Sequence, residues 1–182
     1  MSKAARLDGD SIPAGPAGNA LRESALWVLG ALALIMLVAL FSYDPRDPGF
    51  SNTGSGLSVH NQIGSGGAWF ADLAYSFFGG PAYLLPAMTA LAGWLVFTMR
   101  KLPGPLDRAI LGTRLAGFLL TLLTSCGLAT LHFGAGSLPQ SAGGALGELV
   151  GRGLAGSLGS IGATLLLLSL WLAGVSIFSG LS

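Results

Sequence analysis

The chain has 182 residues, of which 52% are apolar and only 9% are charged, and its formal net charge is +1. Soluble domains carry about 25% charged residues, so this composition excludes an ordinary soluble domain. The near-neutral charge gives no sign of a nucleic-acid-binding face. The single cysteine, Cys126, excludes an intrachain disulfide. The apolar residues come in long blocks, which predicts that the bilayer takes up their surface.

The first block follows a polar segment. Residues 1–24 are rich in Gly, Pro, Ala and charge and predict a disordered cytoplasmic tail. Residues 25–41 are uncharged and, as a helix of about 26 Å, predict the first span. A cleaved signal peptide is the alternative, but its apolar core is usually 7–15 residues and residues 41–45 (FSYDP) lack a small-residue cleavage site. An uncleaved span is therefore favoured.

Two further spans are predicted in the middle of the chain. Residues 42–81 form a polar loop that contains an aromatic interfacial helix at 68–78, which the Gly-Gly-Pro sequence at 79–81 ends. The second span is predicted at 82–99, a basic hairpin at 100–109 and the third span at 110–131. Arg114 lies one turn inside the third span and is expected to reach back to the headgroups.

The last third of the chain predicts a second loop and a fourth span. Residues 132–160 are rich in Gly, Ser and Ala and contain a short amphipathic helix at 145–154, with a Glu148–Arg152 pair on its polar face. The fourth span is predicted at 161–181. The expected fold is an all-α integral membrane protein, a four-transmembrane-helix bundle with short interfacial helices in the two long loops.

Orientation follows from the basic residues near the spans. Seven of them (Lys3, Arg6, Arg22, Arg100, Lys101, Arg108, Arg114) would lie on one side and two (Arg46, Arg152) on the other. The positive-inside rule then predicts cytoplasmic N- and C-termini and places both large loops on the outer side of the membrane. Because no basic residue follows the last apolar run, we expect Ser182 to be the point where a cytoplasmic region begins.

No catalytic constellation is visible in the sequence. A phosphate-binding loop needs Gly-x-x-x-x-Gly-Lys-Ser/Thr, and neither Lys3 nor Lys101 has that context. His60, His132 and Cys126 are not grouped as metal ligands. The sequence therefore predicts no enzyme activity and no cofactor for this chain. A small-solute transporter or channel subunit is the main alternative, although no ionisable residue lies near the middle of a span. A membrane-bound enzyme is the least favoured.

The remaining candidates are contacts with partners. The polar and aromatic residues of the two loops are expected to bind other proteins: Asp44, Asp47, Trp69, Asp72, Glu148 and Arg152. Asp72 has a simpler alternative, a carboxylate lying in water at the membrane interface. Small residues four apart allow helices to approach closely, either within the bundle or between chains. These packing candidates are Gly112, Ala116, Gly117, Gly159 and Ala163.

Four segments in order resemble the membrane domain of the FtsK/SpoIIIE family of bacterial DNA translocases. They are 42–51 (SYDPRDPGFS), 60–61 with 66–72 (HN, GGAWFAD), 123–129 (LTSCGLA) and 171–180 (WLAGVSIFSG). The resemblance covers the chain from about residue 25 to its end and includes no motor domain.

This resemblance implies a membrane domain that localises to the division septum, joins other divisome membrane proteins and anchors a motor. It also implies a homo-oligomer, a hexamer in that family, in the bacterial inner membrane. ATP and Mg would belong to a motor outside this chain, which hydrolyses ATP and moves DNA during chromosome segregation. No nucleic-acid contact is expected from these 182 residues.

Overall fold

The structure, a computed structural model, describes residues 16–54, 58–98 and 105–180. Helices account for most of this part of the chain, as the sequence predicts. Six α-helices follow one another, with a 3₁₀ turn at Gly80–Tyr83 and a π-helical turn at Glu148–Arg152. The α-helices are α1 Pro16–Phe41, α2 Gly64–Phe78, α3 Leu84–Thr98, α4 Pro105–His132, α5 Gly144–Gly147 and α6 Gly153–Ser179.

Four helical segments of the described chain are long and apolar enough to cross a membrane: Ala20–Phe41, Gly80–Thr98, Leu111–His132 and Gly144–Ser179. These four segments confirm the predicted fold class. Most of their surface is exposed, as helices that face lipid require. The exposed side chains are large and apolar, including Trp27, Trp94 and Leu172.

The four spans form two antiparallel pairs, α1 with α3 and α4 with α6. In the first pair, the Thr89 hydroxyl lies 3.7 Å from the sulfur of Met36, and a Cβ on Gly93 would lie 3.1 Å from Leu29 Cβ. In the second pair, Gly117 and Gly174 let the two backbones approach closely, since a Cβ on Gly117 would lie 2.9 Å from Gly174 O. Small residues at helix crossings permit this packing in a bilayer.

The segments between the spans also fold together. The segment 42–79 and the segment 133–152 pack at one end of both pairs, and we call them the loop layer. Gly80 N donates a 2.8 Å hydrogen bond to Ala142 O, which joins the two segments. Gly79 and Gly144 face each other there with φ of 60° and 64°. A Cβ on Gly144 would overlap the backbone of Phe77, so glycine is required on grounds of space as well as conformation.

The fourth candidate span is longer than a bilayer requires. Gly144–Ser179 has 36 residues, which is about 54 Å of helix against about 30 Å of hydrocarbon. Gly159 divides it, because its φ of 71° and ψ of 167° are not helical. The part before Gly159 lies against α4, and residues 160–179 are about 30 Å long. The predicted separation of an amphipathic helix from a fourth span therefore occurs at one glycine.

Several helix boundaries differ from the predicted ones. Helix α1 begins at Pro16, inside the predicted tail of residues 1–24, and proline suits a first helical turn because its missing N–H needs no partner there. Helix α2 begins at Gly64 rather than 68, and α4 at Pro105 rather than 110. The rest of the predicted tail and residues 100–104 of the predicted hairpin lie outside the described residues. The cytoplasmic and periplasmic assignments stay predictions.

A candidate interaction surface on the loop layer

The C-terminus of α1 is held by side chains from the loop layer. The last carbonyls of a helix lack intrahelical donors. Here Ser42 Oγ donates to Val38 O at 2.7 Å, and Asn61 Nδ2 donates to Ala39 O at 2.8 Å. Tyr75 Oη, from α2, lies 3.0 Å from Leu40 O. Three consecutive carbonyls of α1 are therefore satisfied by groups that also fix the path of the following loop.

Asp47 fixes the same loop from a buried position. Its side chain is 3% exposed, and its carboxylate accepts hydrogen bonds of 2.8 Å from the backbone N–H groups of His60 and Asn61. His60 Nδ1 also lies 2.8 Å from Asp47 Oδ1. Burial acts to raise the pKa of the Asp47 carboxyl, but the hydrogen bonds from His60 and Asn61 outweigh it and lower that pKa. The carboxylate is thus held ionised.

Asp72 joins the loop to α2. Its side chain is 2% exposed, and its Oδ1 accepts hydrogen bonds from Tyr43 Oη at 3.1 Å and from Ser51 Oγ at 2.9 Å. The backbone N–H of Ser51 donates to its Oδ2. Gly49 lies so close that a Cβ there would overlap the carboxylate. Asp72 therefore closes the loop from Tyr43 to Ser51 against the helix.

These two carboxylates are placed differently from the prediction. The sequence predicts that Asp47 and Asp72 contact partner proteins. For Asp72 the alternative prediction is a carboxylate that lies in water at the membrane interface. Both are buried, and both are occupied by donors of this chain. The physical reason is that the Asp-Pro sequences turn the loop back over α2. In this arrangement backbone N–H groups of the loop lie next to Asp47 and, on α2, next to Asp72, and they replace water as donors to both carboxylates.

The other predicted contacts lie at the surface. Asp44 pairs with Arg46 at 2.6 Å, and hydrogen bonds from Arg46 lower the pKa of the Asp44 carboxyl. Arg152 pairs with Glu148 at 3.0 Å, which confirms the expected four-residue ion pair. Trp69 is 52% exposed. The role of these residues as partner contacts stays a prediction.

Two aromatic side chains in contact are exposed on the first segment of the loop layer. Phe50 is 54% exposed and Phe77 is 40% exposed, and their rings lie 5.9 Å apart. We call this pair the aromatic patch. Large apolar side chains exposed outside the spans are typical of a surface that contacts a protein or lipid headgroups. Sequence reasoning named Trp69 and missed Phe50 and Phe77, since aromatics near a span do not reveal which way they face.

The predicted helix-packing residues divide into three groups. Gly117 and Ala163 are buried within the chain, as intramolecular packing requires. Gly112 and Ala116 are exposed, and a Cβ on Gly112 would meet nothing within 4 Å. Gly159 is exposed and breaks the helix instead of packing on a neighbour, because its positive φ ends the helical path.

Glycines of the second loop pack on α4. A Cβ on Gly143 or Gly147 would overlap Cys126 O and Thr130 Oγ1, and a Cβ on Gly151 would lie 2.7 Å from Gly127 O. These three glycines are four residues apart, a spacing that the sequence shows and that predicts close helix contact. The glycine-rich composition of this segment does not by itself reveal that these three residues pack on α4.

The described residues contain no group of three or more His, Cys, Asp or Glu side chains that could hold a metal ion. What the described loop layer offers instead is a set of charged side chains that are paired or hydrogen-bonded within the chain, with aromatic side chains exposed beside them. Such an arrangement suits recognition of another surface.

The sequence is similar to those of known membrane proteins. The family model described as the 4TM region of DNA translocase FtsK/SpoIIIE matches residues 19–182. A protein named DNA translocase FtsK from Pseudomonas putida is 40% identical over 163 residues, which cover 89% of this chain and 20% of the relative. Its counterpart in Vibrio parahaemolyticus is 38% identical over 88% of this chain and 16% of the relative.

The FtsK relative from Shewanella oneidensis is 35% identical over 89% of this chain and 18% of its own length. No solved structure matches the chain significantly. The chain thus spans about a fifth or less of the length of these curated relatives. The match of the family model to nearly the whole chain, on a helical bundle with four candidate spans, shows that the chain belongs to the 4TM region of the FtsK/SpoIIIE DNA translocase family.

Proposed function

We propose that this chain is the membrane-anchoring and divisome-assembly domain of a septal DNA translocase that coordinates chromosome segregation with cell division. The observation that carries the proposal is the loop layer itself. Two segments separated in sequence are joined by the Gly80–Ala142 hydrogen bond and closed by Asp47 and Asp72. Anchoring does not require an ordered layer outside the spans, whereas a preorganised surface lowers the entropic cost of binding a partner.

The proposed orientation places the loop layer in the periplasm and both termini in the cytoplasm. Arg22 and Arg114 belong to the ends of α1 and α4 away from the loop layer, and the 100–108 connection adds Arg100, Lys101 and Arg108 by sequence. The described loop layer carries Arg46 and Arg152, and each is paired with a carboxylate of this chain. This distribution supports the positive-inside orientation.

The motor of the proposed translocase would lie beyond this chain. The relatives are named DNA translocases, and this chain matches 16–20% of their length. We propose that ATP, Mg and DNA are bound by the remainder, and that the chain assembles as a homo-oligomer, with a hexamer as the family resemblance implies. Exposed Gly112 and Ala116 on α4 leave a surface where a second copy could approach closely.

The aromatic patch is the proposed contact with divisome proteins. The test uses the full-length translocase with a fluorescent fusion and the double substitution Phe50→Ser and Phe77→Ser. Septal fluorescence should fall several-fold while the protein stays in the membrane fraction. Phe133→Ser is the matched control, because Phe133 is also exposed but lies in the other segment of the loop layer. Normal septal enrichment of the double variant would overturn the patch assignment.

Deletion of residues 44–67 would be a less specific test of the same assignment. It would remove Asp47, Ser51 and Asn61, whose hydrogen bonds hold α1 to the loop layer. Loss of localisation could then follow from unfolding alone. The serine variants keep these bonds, so they separate recognition from stability.

A further inference from the structure

The two helix pairs are separated by a cavity that the proposed function does not use. Near the loop layer, the pairs meet where Leu84, Leu85 and Met88 pack against Phe118 and Leu122. Further from the loop layer, a cavity of about 270 Å³ lies between α3 on one side and α4 and α6 on the other. We call it the inter-pair cavity. Its lining is Met88, Leu91, Ala92, Leu95, Val96, Leu111, Arg114, Leu115 and Phe178.

Arg114 is the one charged residue of this lining. It is the fourth residue of the candidate span Leu111–His132, so its guanidinium lies near one membrane surface. A Cβ built on Gly180 would lie 3.3 Å from Arg114 Nη2, which places the guanidinium beside the C-terminal end of α6. The partial negative charge of that helix end fixes its position but cannot neutralise a full charge.

Among the acidic side chains that the structure describes, which do not include that of Asp107, none forms an ion pair with Arg114. Arg22, at the same end of α1, has a buried Nη2 with no hydrogen-bond partner within the described chain. A guanidinium offers five donors in a planar fork that matches a phosphate. An apolar cavity inside a bilayer forfeits dispersion contacts unless an apolar chain fills it. A molecule with a phosphate and an apolar chain would both pair with the guanidinium and fill the cavity.

We propose that the inter-pair cavity binds an anionic phospholipid, with its phosphate at Arg114 and part of one acyl chain between α3 and α4. The cavity volume, slightly below the range of about 300–1,000 Å³ of small-ligand pockets, holds a segment of an acyl chain and leaves the remainder in the bilayer. Basic pockets between transmembrane helices on the cytoplasmic side bind anionic headgroups in this manner. The lipid would hold the two helix pairs together where their side chains do not meet.

The test measures lipid binding to the 182-residue chain, purified in detergent, by native mass spectrometry during titration with phosphatidylglycerol or phosphatidylcholine. The chain should prefer phosphatidylglycerol. Arg114→Gln should weaken phosphatidylglycerol binding about fivefold and leave phosphatidylcholine binding unchanged, because one basic group near an anionic surface has about that effect. Arg152→Gln is the control, since Arg152 lies in the loop layer and pairs with Glu148.

A second variant tests the apolar part of the site. Ala92→Phe should fill the cavity and weaken binding of both lipids while Arg114 is kept. Arg114→Lys retains the charge and should keep most of the preference, which covers the case in which Arg114→Gln folds poorly. Equal binding of phosphatidylglycerol by wild type and Arg114→Gln would overturn the proposal. So would displacement of phosphatidylglycerol by equimolar inorganic phosphate, which would indicate a free-anion site.

Discussion

The hydroxyl of Tyr43 donates a hydrogen bond of 3.1 Å to Oδ1 of Asp72 and joins the first residues after α1 to the middle of α2. Burial, together with the charge of Asp72, raises the pKa of the Tyr43 hydroxyl above its ordinary value, so it stays a donor at any physiological pH. Twenty-nine residues separate the two groups along the chain. Their contact decides how the first loop covers α2 and therefore where the aromatic patch faces.

Replacement of Asp72 by Ala should lower the free energy of unfolding by about 2–4 kcal/mol, because three donors from Tyr43 and Ser51 lose their acceptor. Thermal unfolding of the detergent-purified chain measures the effect. Asp44→Ala is the control, and it should change stability less because Asp44 pairs with Arg46, whose side chain is 69% exposed to solvent. Similar losses for both variants would show that the loop is not closed through Asp72.

The stability of the chain should fall as the pH falls below about 4, and Asp47 should contribute to this fall. Hydrogen bonds from His60 and Asn61 depress the folded-state pKa of its carboxyl below the ordinary 3.8. A depressed pKa stabilises the fold above the unfolded-state value, and this contribution is lost as the pH drops through the folded value. Unfolding temperatures between pH 7 and pH 3 should depend less on pH in Asp47→Asn. Parallel curves for variant and wild type would contradict this.

Gly144→Ala should destabilise the chain by about 2–5 kcal/mol. Its φ of 64° disfavours an L-residue, and its Cβ would overlap the Phe77 backbone at the join between the two loops. Gly112→Ala is a matched control in a helix, where the new Cβ meets nothing within 4 Å and the change should stabilise by up to about 1 kcal/mol. Unfolding curves of the two variants should therefore shift in opposite directions.

Tyr75→Phe should cost about 1–2 kcal/mol, because Leu40 O at the end of α1 loses a buried hydrogen-bond partner. Tyr75 Oη also lies 2.8 Å from Tyr83 Oη, so Tyr83→Phe removes that contact and leaves the carbonyl bond in place. The Tyr83 variant should be the more stable of the two. Hydrogen exchange of the residues after α1 should increase in the Tyr75 variant alone.

The segment Gly144–Ser179 shows which features local sequence patterns predict and which they do not. The amphipathic pattern, the Glu148–Arg152 pair and the apolar run that follows are local features, and the structure has each of them. The exact break is not local, because the segment contains several glycines and Gly159 alone adopts a positive φ between the two helical parts. Gly147 and Gly151 pack on α4, whereas Gly153, Gly156 and Gly159 lie in open space and only Gly159 leaves the helical conformation, so no local feature selects it.

The sequence by itself determined the membrane class, the four apolar spans and the family. These follow from composition, run length and segment order, and each can be judged without knowing which residues meet. Only the tertiary structure decided the fate of the polar residues. A buried carboxylate requires donors, and Asp47 and Asp72 find them in residues 13 to 29 positions away along the chain. The exposure of Phe50 and Phe77 follows from that same folding of the loop.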